Sequence, residues 1–306
     1  MELTGSIFVL FSIILIGYVA RKIKLLPDHG ADVLVRLILN ITLPLLIVVS
    51  LNLPYEPALF AAMIQTAVVA TVATAVIILV ARLLSRRLPL DEVEKRQWQF
   101  MLVFGNVTFI GYPICFLLLG EPGVFLAAVF DMVQTVLMFS YGIVLLSGTR
   151  RGIGRQELNL LKDPVILALI LGVILFMGNI SLPQPLEESF SLVGSTTTAL
   201  SMLAVGLLLE FRRSHSKGAE AALAVLVFLK LLVVPLLFVF ISKDLGIAPN
   251  AWLVSVIMLS VPSGILSTVL SVKYTGEGRF AAQGVFWTHL LCILTIPLLL
   301  RLVALF

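Results

Sequence analysis

Ten apolar runs, near 3–20, 31–52, 58–81, 98–119, 123–147, 164–180, 187–209, 219–241, 250–272 and 280–304, constrain this 306-residue chain more than any other feature. A helix of about 20 residues crosses a hydrocarbon layer roughly 30 Å thick, so each run is long enough to span a bilayer. Strands of a membrane barrel are about half as long and alternate in polarity, which these runs do not. With 60% of residues hydrophobic and 12% charged, no soluble core could hide the apolar surface. The expected class is an all-α polytopic membrane protein in a lipid bilayer.

Charges between the runs set the orientation. Arg21, Lys22, Lys24, Arg82, Arg86, Arg87, Lys95, Arg96, Arg150, Arg151, Arg155, Lys162, Arg212, Arg213, Lys217, Lys273 and Arg279 follow odd-numbered runs, whereas only Lys243 and Arg301 fall on the other side. The positive-inside rule places the larger set in the cytoplasm of a cell membrane and both termini outside. The chain opens MELTG, without the basic start of a signal peptide, so the first run reads as a retained helix. The net charge of +4 then reflects topology, and basic loops without interleaved aromatics predict no nucleic-acid partner. Cys115 and Cys292 lie within runs and read as packing residues, with no disulfide framework or metal-site spacing.

The longest basic connection, TRRGIGRQELNLLKD at 149–163, falls near the midpoint. It divides the chain into five runs within 1–150, a cytoplasmic linker at 151–163, and five runs within 164–306. An odd number of spans per half forces two halves of one fold into opposite orientations, the inverted-repeat plan of many secondary transporters. The fourth run of each half carries a Gly/Pro interruption, GNVTFIGYP at 105–113 and SVPSG at 260–264, and each begins at a tryptophan, Trp98 or Trp252, expected at interface depth. Proline removes a backbone donor and clashes with the preceding turn, so Pro113 and Pro262 should free polar backbone groups at membrane depth. Such groups persist only where protein or a water-filled cavity satisfies them. The expectation is a break near 109–113 and another near 260–264, crossing at mid-membrane, with Asn106, Thr108, Gly111, Pro113, Ser260, Pro262, Ser263 and Gly264 around a solute. Two ordinary proline kinks are the bland alternative.

At these residues the chain resembles the auxin efflux carrier family, which includes plant auxin exporters and bacterial carriers named for malonate. The matching features are Asn-Ile-Thr-Leu-Pro at 40–44, Asn106 seven residues before Pro113, KDPVILALILG at 162–172, VPSGI at 261–265, Lys-Tyr at 273–274 and Ile-Pro at 296–297. The resemblance runs over nearly the whole chain. It implies ten helices whose fourth and ninth members unwind and cross, a homodimer, and elevator-like movement of a transport domain against a scaffold. The long central loop of many plant members is replaced by about fifteen residues, which points to a bacterial-type carrier.

Ionisable groups inside the runs are costly and therefore functional candidates. Asp131 and Lys230 are expected at compatible depths: they pair near the midplane, or else Lys230 snorkels while Asp131 lines a hydrated vestibule. Gln134 and His289 take similar places in the fifth and tenth runs. His289 reads either as a carrier of a coupling proton or as a satisfied buried histidine. Asn40 lines the solute path or bonds across helices, and Arg36 snorkels to the interface.

These features predict a secondary carrier for small organic anions, of the elevator type that the resemblance implies, without cofactor, metal or enzymatic activity. The substrate is open among monocarboxylates, dicarboxylates such as malonate, and indole acids, and so is the coupling ion. A channel is the alternative. An intramembrane hydrolase using Ser263 and His289 is disfavoured, since VPSGI is not the usual nucleophile sequence, and no Walker A sequence is present.

Overall fold

The computed structural model describes residues 2–25, 27, 30–148, 164–209 and 218–303. The 151–163 linker and Arg150, Arg151, Arg155, Lys162, Arg212, Arg213 and Lys217 lie outside the described residues. Among those described, the chain is helical and contains no strand. Six helical segments are long and apolar enough to cross a membrane: Gly30–Ser50, Pro57–Ser85, Val107–Ser147, Gln184–Leu208, Ala219–Ser242 and Arg279–Val303. Pro164–Gly178 and Pro249–Ser260 are shorter apolar helices. Glu2–Lys22, Glu92–Val103 and Leu266–Thr275 are further helices among the described residues.

Proline positions explain much of this layout. Pro57, Pro164, Pro185 and Pro249 stand at the first or second residue of their helices, where a missing N–H costs nothing. Pro44, Pro113 and Pro235 instead lie inside continuous helical segments, each two residues beyond a π-helical turn: Ile38–Thr42, Val107–Gly111 or Leu229–Val233. Proline cannot donate to the carbonyl four residues back and its ring clashes there, and the wider π turn moves that carbonyl aside. Pro113 therefore does not break its helix. The interruption expected near 109–113 lies at Phe104–Asn106, between Glu92–Val103 and the π turn. The second interruption, at 261–264, falls where it is expected.

The 41 residues of Val107–Ser147 are not one rod. Gly120 has φ 62° and ψ −144°, a conformation open to glycine. A Cβ on Gly123 would collide with the carbonyl oxygen of Cys115, eight residues earlier, and come within 2.7 Å of Leu119 Cβ. In an unbroken helix those eight residues would be about 12 Å apart, so the chain reverses at Gly120 into two helices, 107–119 and 121–147.

Lipid offers no hydrophobic drive for helices to associate, so close packing of small residues takes its place. Gly17 and Gly206 show this, since a Cβ on either would strike the backbone of the partner helix. Trp98 is fully buried and its indole donates to the Ala222 carbonyl at 2.8 Å, so it packs in the core. Trp252 donates to Ser242 Oγ at 2.7 Å.

Candidate functional site

The two interruptions meet. Gly105 and Ser263 form an antiparallel pairing in which the Asn106 N–H donates to the Pro262 carbonyl (2.7 Å) and the Gly264 N–H to the Phe104 carbonyl (3.0 Å). Each broken strand thus satisfies backbone groups of the other, as polar backbone at membrane depth requires. The crossing is tight: a Cβ on Gly105 would lie 2.7 Å from Val261 Cγ2, and one on Gly264 would lie 3.1 Å from the Gly105 carbonyl oxygen.

Helix Glu92–Val103 ends at this crossing, and its exposed carbonyls find side-chain donors. Ser263 Oγ donates to the Met101 carbonyl at 3.0 Å, and Lys230 Nζ to the Leu102 carbonyl, also at 3.0 Å. An amine donor at a helix C-terminus satisfies a carbonyl that has no partner within the helix, which gives a lysine only 3% exposed a polar contact. The expected Lys230–Asp131 pair is not made, because the amine is held by Leu102 while Asp131 Oδ2 accepts from Thr108 Oγ1 at 3.1 Å.

Asn106 starts the next helix: its Oδ1 accepts from the Phe109 N–H at 3.4 Å, and its Nδ2 lies 2.9 Å from His289 Nε2. His289 Nδ1 is 2.8 Å from the Val285 carbonyl. One assignment satisfies all of these contacts: a neutral imidazole with its proton on Nδ1, donating to Val285 and accepting from the Asn106 amide. His289 therefore sits behind Asn106. Ser263 and His289 have different partners and form no dyad, since the Ser263 N–H donates to Thr288 Oγ1 at 3.2 Å.

A cavity of about 260 Å³ opens beside the crossing. Of the anticipated residues it is lined by Asn106, Thr108, Asp131, Gln134 and Gly264. The others stand back from it. Gly111 packs on Met258, Pro113 follows its π turn, Ser260 Oγ donates to Ile257, and Pro262 contributes its carbonyl to the crossing. Asn40 is exposed and its amide donates to the Arg36 carbonyl of its own helix at 2.7 Å. Three π turns reach the wall, through Leu39, through Val107, Thr108 and Phe109, and through Met138 and Phe139.

Two polar atoms on the wall are buried without a hydrogen-bond partner, Gln134 Oε1 and Ser267 Oγ. The amide nitrogen of Gln134 is held by Thr74 Oγ1 at 2.9 Å, which leaves its oxygen for a donor in the cavity. A buried unpaired polar atom costs about 1–3 kcal/mol, so both atoms call for water or solute. Sequence reasoning missed Ser267. The signal was available: Ser267, Ser271 and Thr275 recur every four residues, a hydroxyl-bearing face on one helix. Two larger clefts, of about 770 and 660 Å³, are lined almost wholly by apolar residues of the outer helices, as lipid-facing surface would be.

Membrane-length helices around a cavity that carries a few polar groups at paired breaks have the plan of a membrane transport protein. The chain belongs to the family described as "Membrane transport protein", whose profile matches residues 3–158 and 153–300, and the resemblance to auxin efflux carriers holds. It is 26% identical over 299 residues to an uncharacterized transporter of Methanothermobacter thermautotrophicus, covering 96% of each chain. It is 21% identical over 309 residues to an uncharacterized transporter of Escherichia coli K12, covering 96% of this chain and 95% of that one. It is 24% identical over 315 residues to a Rhizobium meliloti protein named "Putative malonate transporter", covering 99% of this chain and 96% of that one.

Proposed function

We propose that this chain is a secondary carrier of small organic anions, carboxylates above all, working by elevator-type movement. The observation that carries the reading is the cavity at the crossing, where Asn106, Thr108, Gln134 and Ser267 converge beside two helix breaks. Its 260 Å³ falls below the roughly 300–1,000 Å³ of pockets that take drug-sized ligands, which suits a solute of a few carbons. In this reading 1–150 and 164–306 are inverted five-helix halves, the broken spans are the fourth and the ninth, both termini lie outside, and two copies form the dimer. Net movement comes from rigid-body travel of the set of helices that carries the crossing, and the solute with it, against the remaining helices as scaffold.

The test is counterflow in proteoliposomes with radiolabelled malonate, chosen from the name of the Rhizobium relative, against monocarboxylate and indole-acid competitors. Saturable counterflow that Asn106→Ala depresses is expected. Linear flux without saturation would make the protein a channel, and no flux of any carboxylate would overturn the anion reading.

A further inference from the structure

Among the described residues Lys230 is the only buried lysine or arginine, and it does not line the cavity. Its amine donates to the Leu102 carbonyl at 3.0 Å and forms no ion pair among the described residues. It lies directly behind the crossing: a Cβ on Gly105 would be 3.5 Å from Nζ, and Gly105 itself lines the cavity. One residue without a side chain therefore separates the amine from the solute site.

The described helices around the Leu229–Val233 turn bring no counter-charge to this amine. Glu220 stands in the first turn of Ala219–Phe228, Arg82 in the last turn of Pro57–Ser85, and Glu92, Glu94, Lys95 and Arg96 in the early turns of Glu92–Val103. Val234–Ser242 and Pro249–Ser260 carry no titratable group. On Arg279–Val303, Arg279 and Arg301 lie toward the two ends, His289 is engaged with Asn106 and Val285, and Cys292 donates to the His289 carbonyl. Across the crossing, Asp131 lines the cavity from the 121–147 helix and accepts from Thr108.

Burial without a counter-charge disfavours an ammonium, and an anion in the cavity supplies the missing charge. Opposite charges about 6 Å apart, across one residue, favour each other by roughly a hundredfold at an effective dielectric of about 20. Resting on the carboxylate reading above, the geometry points to Lys230 as the site of a proton taken up with the anion and released with it, so that solute and proton cross as a pair. The proton comes from water on the side to which the cavity opens and bonds to the Nζ lone pair. The amine keeps its bond to the Leu102 carbonyl, and no other bond changes.

The test is binding to protein in nanodiscs between about pH 6.5 and 8.5, where free carboxylic acids are ionised, with labelled malonate and then the competitor acids of the counterflow assay. A pH dye in weak buffer counts protons in the same samples. Wild type should take up about one proton per anion bound, and should bind up to about tenfold more weakly per pH unit. Lys230→Gln, a neutral donor, should bind weakly with no slope and take up no proton. Lys230→Arg, always charged, should lose the slope yet still bind at about pH 8.5. A lysine that only holds the Leu102 carbonyl would leave the slope in both variants. Asp131→Asn and His289→Gln should keep the slope, whatever their affinity. Absence of proton uptake by wild type, a slope that survives in Lys230→Arg, or one that disappears in Asp131→Asn or His289→Gln overturns the assignment. Failure of every carboxylate to bind at any pH overturns the carboxylate reading and the proton site with it, a pattern distinct from binding without a slope.

Discussion

Gly105→Ala should damage the crossing by a mechanism whose size the geometry sets. The new Cβ would lie 2.7 Å from Val261 Cγ2, about 1 Å inside ordinary carbon contact, and 3.5 Å from both Lys230 Nζ and the Pro262 carbonyl. Val261 is fully buried and β-branched, so it cannot rotate away cheaply. Overpacking of this kind costs about 1–3 kcal/mol, and here the movement would fall on the two bonds that join the broken strands. Val261→Ala alone should cost about 1–2 kcal/mol through lost packing, yet it removes the atom that Gly105→Ala strikes. The double variant should therefore lose less than the sum of the singles by about 1 kcal/mol or more. Reversible denaturant unfolding in mixed micelles gives the three stabilities, and counterflow should recover in the double variant relative to Gly105→Ala. Additivity within about 0.5 kcal/mol, with no recovery of transport, would refute the close crossing.

Lys230→Met should cost about 2 kcal/mol, because the buried Leu102 carbonyl loses its donor at the end of its helix. Asp131→Asn should add to that loss independently, and a cycle coupling energy above about 1 kcal/mol would mean the two charges interact after all. Asn106→Ala should cost about 1–2 kcal/mol in thermal or denaturant unfolding, since the side chain caps the helix that begins at 107. Asn106→Asp keeps the cap but sets a second negative charge on the cavity wall, so it should bind organic anions worse than Asn106→Ala does. Equal binding by Asn106→Asp and the parent would remove the crossing from the anion site.

The class of protein and the neighbourhood of the site are legible in the order of the residues alone. The apolar runs specify helices because backbone groups in lipid must be satisfied within the segment, and that rule needs no knowledge of partners. The polar residues within those runs are legible for the same reason: Asn106, Thr108, Asp131 and Gln134 are expensive there, and all four line the cavity. The tertiary structure alone decided the pairings. Pro113 marks a break in a local reading, but a π turn absorbs it, and the real break stands at Gly105, whose need for a missing side chain comes from Val261 across the crossing. Lys230 and Asp131 look like partners by charge and depth, yet Lys230 bonds a main-chain carbonyl, a group every residue carries and no sequence pattern distinguishes. His289 looks like a proton carrier until its two nitrogens are seen to be taken by Asn106 and Val285. Hydropathy is a property of single segments, whereas the identity of a hydrogen-bond partner belongs to two segments far apart in the chain, and only their packing supplies it.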